Sequence, residues 1–156
     1  MDQLAQQSAG SVYTLPRAHV DGAPLDMSFS GLKTAVVNLA HNAQQKDEPL
    51  DEPALARDFT QAVSDELTER AALALEQTGR TVLVAAGGVA ANSIIRADLQ
   101  RLCEKRGVKL YLPPLKWCGD NGAMIGAQGY YEYMSGVRGD MTLNGYATME
   151  LDNVIF

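Results

Sequence analysis

The stretch TVLVAAGGVAAN, residues 81–92, decides the fold of this chain. It opens with the run Val82–Val84, which is too short for a helix and rich in β-branched side chains. Such a run predicts a buried strand with both faces covered. Gly87 and Gly88 end the strand, and a helix-forming pattern begins within a few residues and continues to Arg106.

A strand, a Gly-Gly turn and a helix N-terminus together indicate a site for an anion or a nucleotide. Glycines lack Cβ atoms, so a ligand can approach the backbone closely. Free N–H groups and the positive end of the helix dipole would then face the ligand. The alternative is a tight turn whose glycines serve packing alone, because a Gly-Gly pair by itself has low specificity.

Size and composition indicate one ordinary globular domain. The chain has 156 residues and a net charge of −6, which argues against a general nucleic-acid binder because phosphate neutralisation needs clustered Lys and Arg. The thiols of Cys103 and Cys118 form no metal or redox motif and fit a reducing compartment. No signal peptide or apolar run long enough to span a bilayer is visible, so we expect a cytoplasmic protein without a membrane partner.

The amino-terminal third is predicted to hold two helices and a loop. Residues 1–8 read as a short helix, and residues 11–27 as an irregular arm that contains an isolated, solvated His19. Ser30 is predicted to cap a helix whose apolar face begins at Leu32. His41 is expected near the end of this helix, where the dipole favours a cation.

The longest helical pattern covers residues 54–78. Apolar side chains recur at three- and four-residue steps, and Gly79 is a suitable C-cap. The charged side chains of this helix, and those of the helix after the glycine turn, are interpreted as solvated faces; they are Asp58, Asp65, Glu66, Glu69, Arg70, Arg96, Asp98, Arg101, Glu104, Lys105 and Arg106.

The remaining pattern predicts a second strand over residues 108–112, parallel to the first through a right-handed crossover. We therefore expect an α/β fold that is helix-rich with a short parallel sheet. Asp120 stands where a last helix should begin, and that helix should run to about Met134. Its carboxylate is either an N-cap or a ligand-binding group at the carboxyl edge of the sheet, and the two roles are compatible. Residues 137–156 are predicted to form an extended tail.

Three blocks occur in a fixed order: SFSGLKT (28–34), AGGVAAN (86–92) and CGDNGAMI (118–125). Together they closely resemble the carboxyl-terminal half of the bacterial TsaD (Gcp) family. The resemblance covers nearly the whole chain, to about residue 136. It implies an actin-like ATPase fold (ASKHA, ribonuclease H-like), of which residues 1–156 would form a single domain, the carboxyl-terminal lobe of a larger two-lobe protein.

The resemblance also implies an activity and its ligands. The family transfers a threonylcarbamoyl group from threonylcarbamoyl-AMP to N6 of the adenosine beside the tRNA anticodon. By the resemblance, Asn92 contacts the adenylate ligand, ATP or threonylcarbamoyl-AMP. Asp2 contacts its nucleoside portion, and Gly87 and Gly88 form the glycine turn against it. Asp120 resembles the carboxylate ligand of one divalent metal, iron or zinc. The implied partners are tRNA and TsaB-like and TsaE-like proteins.

Departures from the family pattern limit this expectation. Gly119 replaces a threonine beside the metal position, and the family's His-x-x-x-His metal ligands and first phosphate-binding loop are absent from the sequence. One carboxylate cannot hold a catalytic metal that needs three or more protein ligands. We therefore expect a fragment of a transferase that is inactive without an amino-terminal lobe.

Other functions remain open at this stage. The chain could be a non-catalytic half-domain that binds nucleotide or docks to a partner. A sugar-kinase-like phosphotransferase shares the Gly-Gly turn, but the block CGDNGAMI argues against it. A peptidase is disfavoured, since no His-Glu-x-x-His motif or Ser–His–Asp arrangement is present. An uncovered sheet edge tends to pair with another chain, so we also expect a homodimer or a rearranged amino terminus.

Overall fold

A computed structural model describes residues 1–17, 20, 22–145 and 147–148. His19 and the end of the predicted tail lie outside these residues. The chain divides into two compact units, Met1–Cys118 and a second that begins at Gly119. In chain order the elements are α1 (Asp2–Ala5), α2 (Ser30–Lys46), α3 (Glu52–Thr78), β1 (Val82–Val84), a 3-10 turn (Gly88–Ala91), α4 (Ser93–Arg106), β2 (Lys109–Tyr111), a second 3-10 turn (Leu115–Trp117) and α5 (Gly122–Met134).

Local sequence signals explain where the long helices begin and end. Asp51 accepts a hydrogen bond from the Ala54 N–H at 2.9 Å, which satisfies a first-turn donor of α3. Gly79 follows α3 with a φ of 62°, a conformation that glycine adopts without strain. The cap of α2 differs from the prediction: Ser30 is the first helical residue, and Phe29 precedes it with no side-chain cap. His41 lies within α2 on an exposed position.

The core of the first unit forms where α1, α2 and α4 pack against α3. Its buried apolar side chains come from all four helices and from the glycine turn; they include Ala5, Leu32, Leu55, Leu75, Ala90, Ile95, Leu99 and Cys103. The long helix α3 is therefore the element on which the others are assembled, as its apolar periodicity predicted.

The sheet is parallel, as predicted, and has two strands among the described residues. Val82 pairs with Lys109, and Val84 pairs with Tyr111. The prediction of burial on both faces is wrong, because Val82 and Val84 are 47% and 67% exposed while Leu83 between them is half-buried. Side chains alternate across a strand, so one face packs and the other stays open. An apolar run shows that the strand is hydrophobic, but it does not show whether other elements pack on both faces of the strand.

Three charged residues assigned to solvated faces are buried instead. Asp58, Glu66 and Asp98 are each less than a tenth exposed. Glu66 lies 3.0 Å from the Arg70 guanidinium one turn along α3. Burial is tolerated because each carboxylate meets a donor or a cation, a condition that the helical period alone does not reveal.

Asp58 fastens the amino-terminal arm to α3. Its Oδ2 accepts hydrogen bonds from the backbone N–H groups of Val12 at 2.9 Å and Tyr13 at 2.7 Å. The Tyr13 hydroxyl in turn accepts a bond from the Asp51 N–H at 3.0 Å. Burial by itself raises the pKa of Asp58, but the bonds from Tyr13 and Val12, with smaller contributions from Ser11 and Arg57, bring this pKa below its ordinary value.

No described helix is both long and apolar enough to cross a membrane. The second unit contributes the helix α5, whose end at Met134 agrees with the prediction. The described residues after α5 contain no helix or strand.

We predict that the protein loses folding stability in acid because Asp58 becomes protonated. Since its folded-state pKa is below the unfolded value of about 3.9, its contribution is present above that pH and is lost as pH falls through the folded pKa. Asp58→Asn should lower the free energy of unfolding by about 1.5–3 kcal/mol at pH 7, the scale of a hydrogen bond to a charged group. Urea denaturation of the wild type and of Asp58→Asn, at pH 7 and below pH 4, measures the effect of the substitution and its dependence on pH. A wild-type–variant difference that stays constant with pH would contradict this assignment.

Candidate functional site

The two glycines of the turn after β1 differ in what the structure requires of them. Gly87 has a φ of 91°, which L-residues other than glycine rarely adopt. Gly88 begins the 3-10 turn, is exposed, and would meet no atom within 4 Å if it carried a Cβ. Backbone geometry therefore accounts for Gly87, whereas the space beside Gly88 is free for a ligand.

Asn92 ends this turn and caps α4. Its Oδ1 accepts hydrogen bonds from the N–H groups of Ile94 at 3.0 Å and Ile95 at 3.2 Å. Both lone-pair directions of that oxygen are thereby used. Among the described residues Nδ2 has no acceptor, so Asn92 can offer a ligand its amide N–H but not its oxygen.

Asp2 reaches the same helix end from the start of the chain. Its Oδ1 accepts hydrogen bonds from the Ser93 hydroxyl at 2.7 Å and from the Ser93 N–H at 3.3 Å. Gln6 Nε2 also donates to the Ser93 hydroxyl at 3.2 Å. The structure thus brings Asp2 and Asn92 together around Ser93. The sequence analysis did not identify Ser93 as a site residue. The only sequence signal for Ser93 is its hydroxyl group, directly after the residue that caps α4.

The free N–H groups expected at the start of α4 do not occur. The Ser93, Ile94 and Ile95 N–H groups bond to Asp2 or Asn92 side chains, as described, and the Arg96 N–H bonds to the Asn92 carbonyl at 3.0 Å. Asp2 also places a negative charge at this helix end. This helix end is consequently unsuited to bind an anion, and its free groups suit a neutral ligand with hydroxyls.

A cavity of about 780 Å³ opens beside these groups. Asp2, Gly88 and Asn92 line it, and apolar side chains from α3, from α4 and from the residue before α2 complete its walls; they include Phe29, Phe59, Val63 and Ile95. The volume is within the range of small-molecule sites, roughly 300–1,000 Å³. A second cavity of about 460 Å³, lined by Arg70 and Leu83 among others, contains none of the predicted site residues.

Arg96 is a support for the turn, whereas the sequence pattern placed it on a solvated face. Its guanidinium donates to the Ala90 carbonyl at 2.8 Å and to the Pro113 carbonyl at 3.2 Å. These bonds join the end of the glycine turn to the segment after β2. The turn is therefore held by a cation on α4 as well as by its own glycines.

Asp120 belongs to the second unit and is exposed. It is not the cap of α5: Asn121 is, because its side chain accepts a bond from the Met124 N–H at 3.1 Å. Within the described residues no three His, Cys, Asp or Glu side chains are grouped to hold a metal ion. The described donor set therefore does not fit a complete metal site, and the metal role of Asp120 stays a prediction.

Comparison with known proteins identifies the family. A family model described as TsaD, tRNA N6-adenosine threonylcarbamoyltransferase, matches residues 1–127. The chain belongs to the TsaD family.

Curated relatives of this chain carry the name that describes the family model. The chain is 42% identical over 152 residues to the tRNA N6-adenosine threonylcarbamoyltransferase of Staphylococcus saprophyticus, covering 97% of this chain and 44% of that protein. The enzymes of that name from Staphylococcus carnosus and Staphylococcus aureus are 39% and 40% identical, and 44% of each is covered. The chain thus spans less than half the length of these TsaD relatives.

We predict that substitutions can separate the two roles of Asn92, the capping of α4 by its oxygen and the donation of a hydrogen bond by its amide nitrogen. Asn92→Ala should lower the free energy of unfolding by about 1 kcal/mol, since two N–H groups of α4 lose their acceptor. Asn92→Ser should recover most of that loss, because serine supplies a capping oxygen. Urea denaturation of the three proteins checks this. Equal stability of the alanine variant and the wild type would disprove the capping role.

Proposed function

We propose that this chain is the nucleotide-holding part of a tRNA threonylcarbamoyltransferase and that it does not catalyse transfer alone. The complete reaction moves a threonylcarbamoyl group from threonylcarbamoyl-AMP to N6 of the adenosine beside the tRNA anticodon. The observation that carries the proposal is that Asp2 and Asn92, which both bond to the first turn of α4, line the same cavity in a chain of the TsaD family.

The chemistry of this cavity suits a nucleoside. Phe29, Phe59 and Val63 offer apolar surface to a flat base. A carboxylate accepts hydrogen bonds only, so Asp2 can receive them from ribose hydroxyls. The Asn92 amide donates to an acceptor on the base or sugar. Since the N–H groups at the start of α4 are occupied, the phosphate portion is expected to depend on other donors.

The metal is proposed as a shared site. Asp120 would supply one carboxylate ligand to an iron or zinc ion in the complete protein. The remaining ligands would come from a further lobe, because one carboxylate does not make such a site. When bound, the metal would polarise the carbonyl under attack.

The rest of the machinery follows from family membership and is likewise proposed. The chain would be one lobe of an actin-like ATPase fold, completed by an amino-terminal lobe and acting with TsaB-like and TsaE-like proteins on tRNA. The strands β1 and β2 pair only with each other among the described residues, which leaves unpaired edges. A homodimer of this chain, or pairing with the other lobe, would cover them.

A second candidate is a binding module without chemistry. It is favoured by the absence of a metal-holding group among the described residues, since the cavity is present without one. Both candidates predict nucleoside binding, and they differ only in whether added protein restores transfer.

We predict that ATP, AMP and adenosine bind with micromolar affinity in calorimetric titrations. Asn92→Ser should weaken binding of all three while leaving the chain folded, since it keeps the cap and removes the amide donor. The loss should be about tenfold, the scale of a buried hydrogen bond without its partner. Absence of binding by folded wild-type chain would mean that the cavity does not form a nucleotide site alone.

We further predict that transfer activity requires an added lobe. With TsaB-like and TsaE-like partners, tRNA, threonine, bicarbonate and ATP, this chain alone should form no threonylcarbamoyladenosine. Adding the amino-terminal half of a TsaD relative should restore product, and Asp120→Ala should abolish it. Asp51→Ala is the matched control, because it also replaces an aspartate by alanine, at a residue that caps α3 and does not line the cavity. Product from the chain alone would disprove the first statement, and no product after addition would favour the binding module.

A further inference from the structure

A buried polar cluster joins α3 to α4 beside the candidate site. Ser64 on α3 is fully buried, and its hydroxyl donates to Asp98 Oδ2 on α4 at 2.6 Å. Gln61 Nε2 donates to the same oxygen at 2.8 Å. The Arg101 guanidinium pairs with Asp98 Oδ1. Both carboxylate oxygens are therefore satisfied, and two of the three partners come from the facing helix.

The cluster constrains how the two helices are placed against each other. The other buried side chains of α4, such as Leu99 and Cys103, are apolar and make non-directional contacts. A hydrogen bond requires a narrow range of distance and angle. A slide or rotation of α4 along α3 would leave the Asp98 carboxylate buried without its donors, which is far more costly than a shift between apolar surfaces.

The same helical turns form the wall of the cavity. Thr60 and Val63, which directly precede Gln61 and Ser64, line it from α3. Ile95, three residues before Asp98, and the cap Asn92 line it from α4. The distance between the Asn92 amide and the apolar wall therefore depends on the alignment that the cluster sets.

We propose that Asp98 is a positioning residue that, through Ser64 and Gln61, holds the two walls of the cavity at the spacing a nucleoside requires. This inference rests on the proposed nucleotide-binding function. Asp98 does not line the cavity, so it acts only by fixing the position of α4 against α3. The sequence pattern assigned it to a solvated face, so its role emerges from the packing of the two helices.

The test compares Asp98→Asn and Ser64→Ala with Leu75→Ala. Leu75 is also buried on α3, eleven residues beyond Ser64 and so about 16 Å further along the helix, outside the lining of the cavity. Its truncation should lower Tm without removing any bond of the cluster. Two measurements are made below the lowest Tm: the Kd of adenosine by calorimetry, and NMR-detected hydrogen exchange of the Ile94 and Ile95 amides at the cavity rim.

Asp98→Asn and Ser64→Ala should each raise the adenosine Kd about five- to tenfold, the effect of about one lost hydrogen bond. Both should also accelerate exchange of the rim amides relative to those of the last turn of α4. Leu75→Ala should lower Tm but change neither the adenosine Kd nor the exchange of the rim amides. If the cluster variants lower Tm but leave the Kd and the rim exchange as in the wild type, the positioning role is overturned. If the wild type does not bind adenosine, the proposed function fails, and the rim exchange by itself decides the positioning role.

Discussion

The site depends on how the first turn of α4 is capped. A helix end leaves N–H groups without intrahelical partners, and here two side chains from distant parts of the chain satisfy them. Asn92 supplies one oxygen to Ile94 and Ile95, and Asp2 supplies another to Ser93. This arrangement joins the amino terminus to the glycine turn, and it leaves one amide and one carboxylate at the rim of an apolar cavity.

That capping also determines the kind of ligand the site favours. A strand, a glycine turn and a helix are a general anion site only while the helix N–H groups are free. In this chain they are occupied, and one of the occupying groups is itself an anion. In the nucleotide site that we propose, this helix end would suit hydroxyls and a base better than phosphates.

Buried carboxylates are the second theme of the structure. Asp58 fastens the amino-terminal arm to α3, and Asp98 fastens α4 to the same helix. Both were assigned to solvated faces because helical periodicity separates apolar from polar positions and treats every charge as exposed. Whether a charge can be buried depends on donors that the fold brings to it, such as the Val12 and Tyr13 N–H groups, more than forty residues away along the chain.

The sequence by itself determined the helices, the two parallel strands, the glycine turn and the family, because these depend on local periodicity, turn chemistry and contiguous motifs. It also marked Asp2, Gly87, Gly88 and Asn92 as candidates through the resemblance. Only the tertiary structure decided that Asp2 meets Ser93, that Asn92 commits its oxygen to α4, that Arg96 supports the turn and that Val82 and Val84 stay exposed. The Asp2–Ser93 contact joins residues 91 positions apart, and the exposure of a strand face depends on what packs against it, so no local pattern specifies either. The bonds of Asn92 and Arg96 span fewer residues, but they form only once the glycine turn and α4 have their folded geometry.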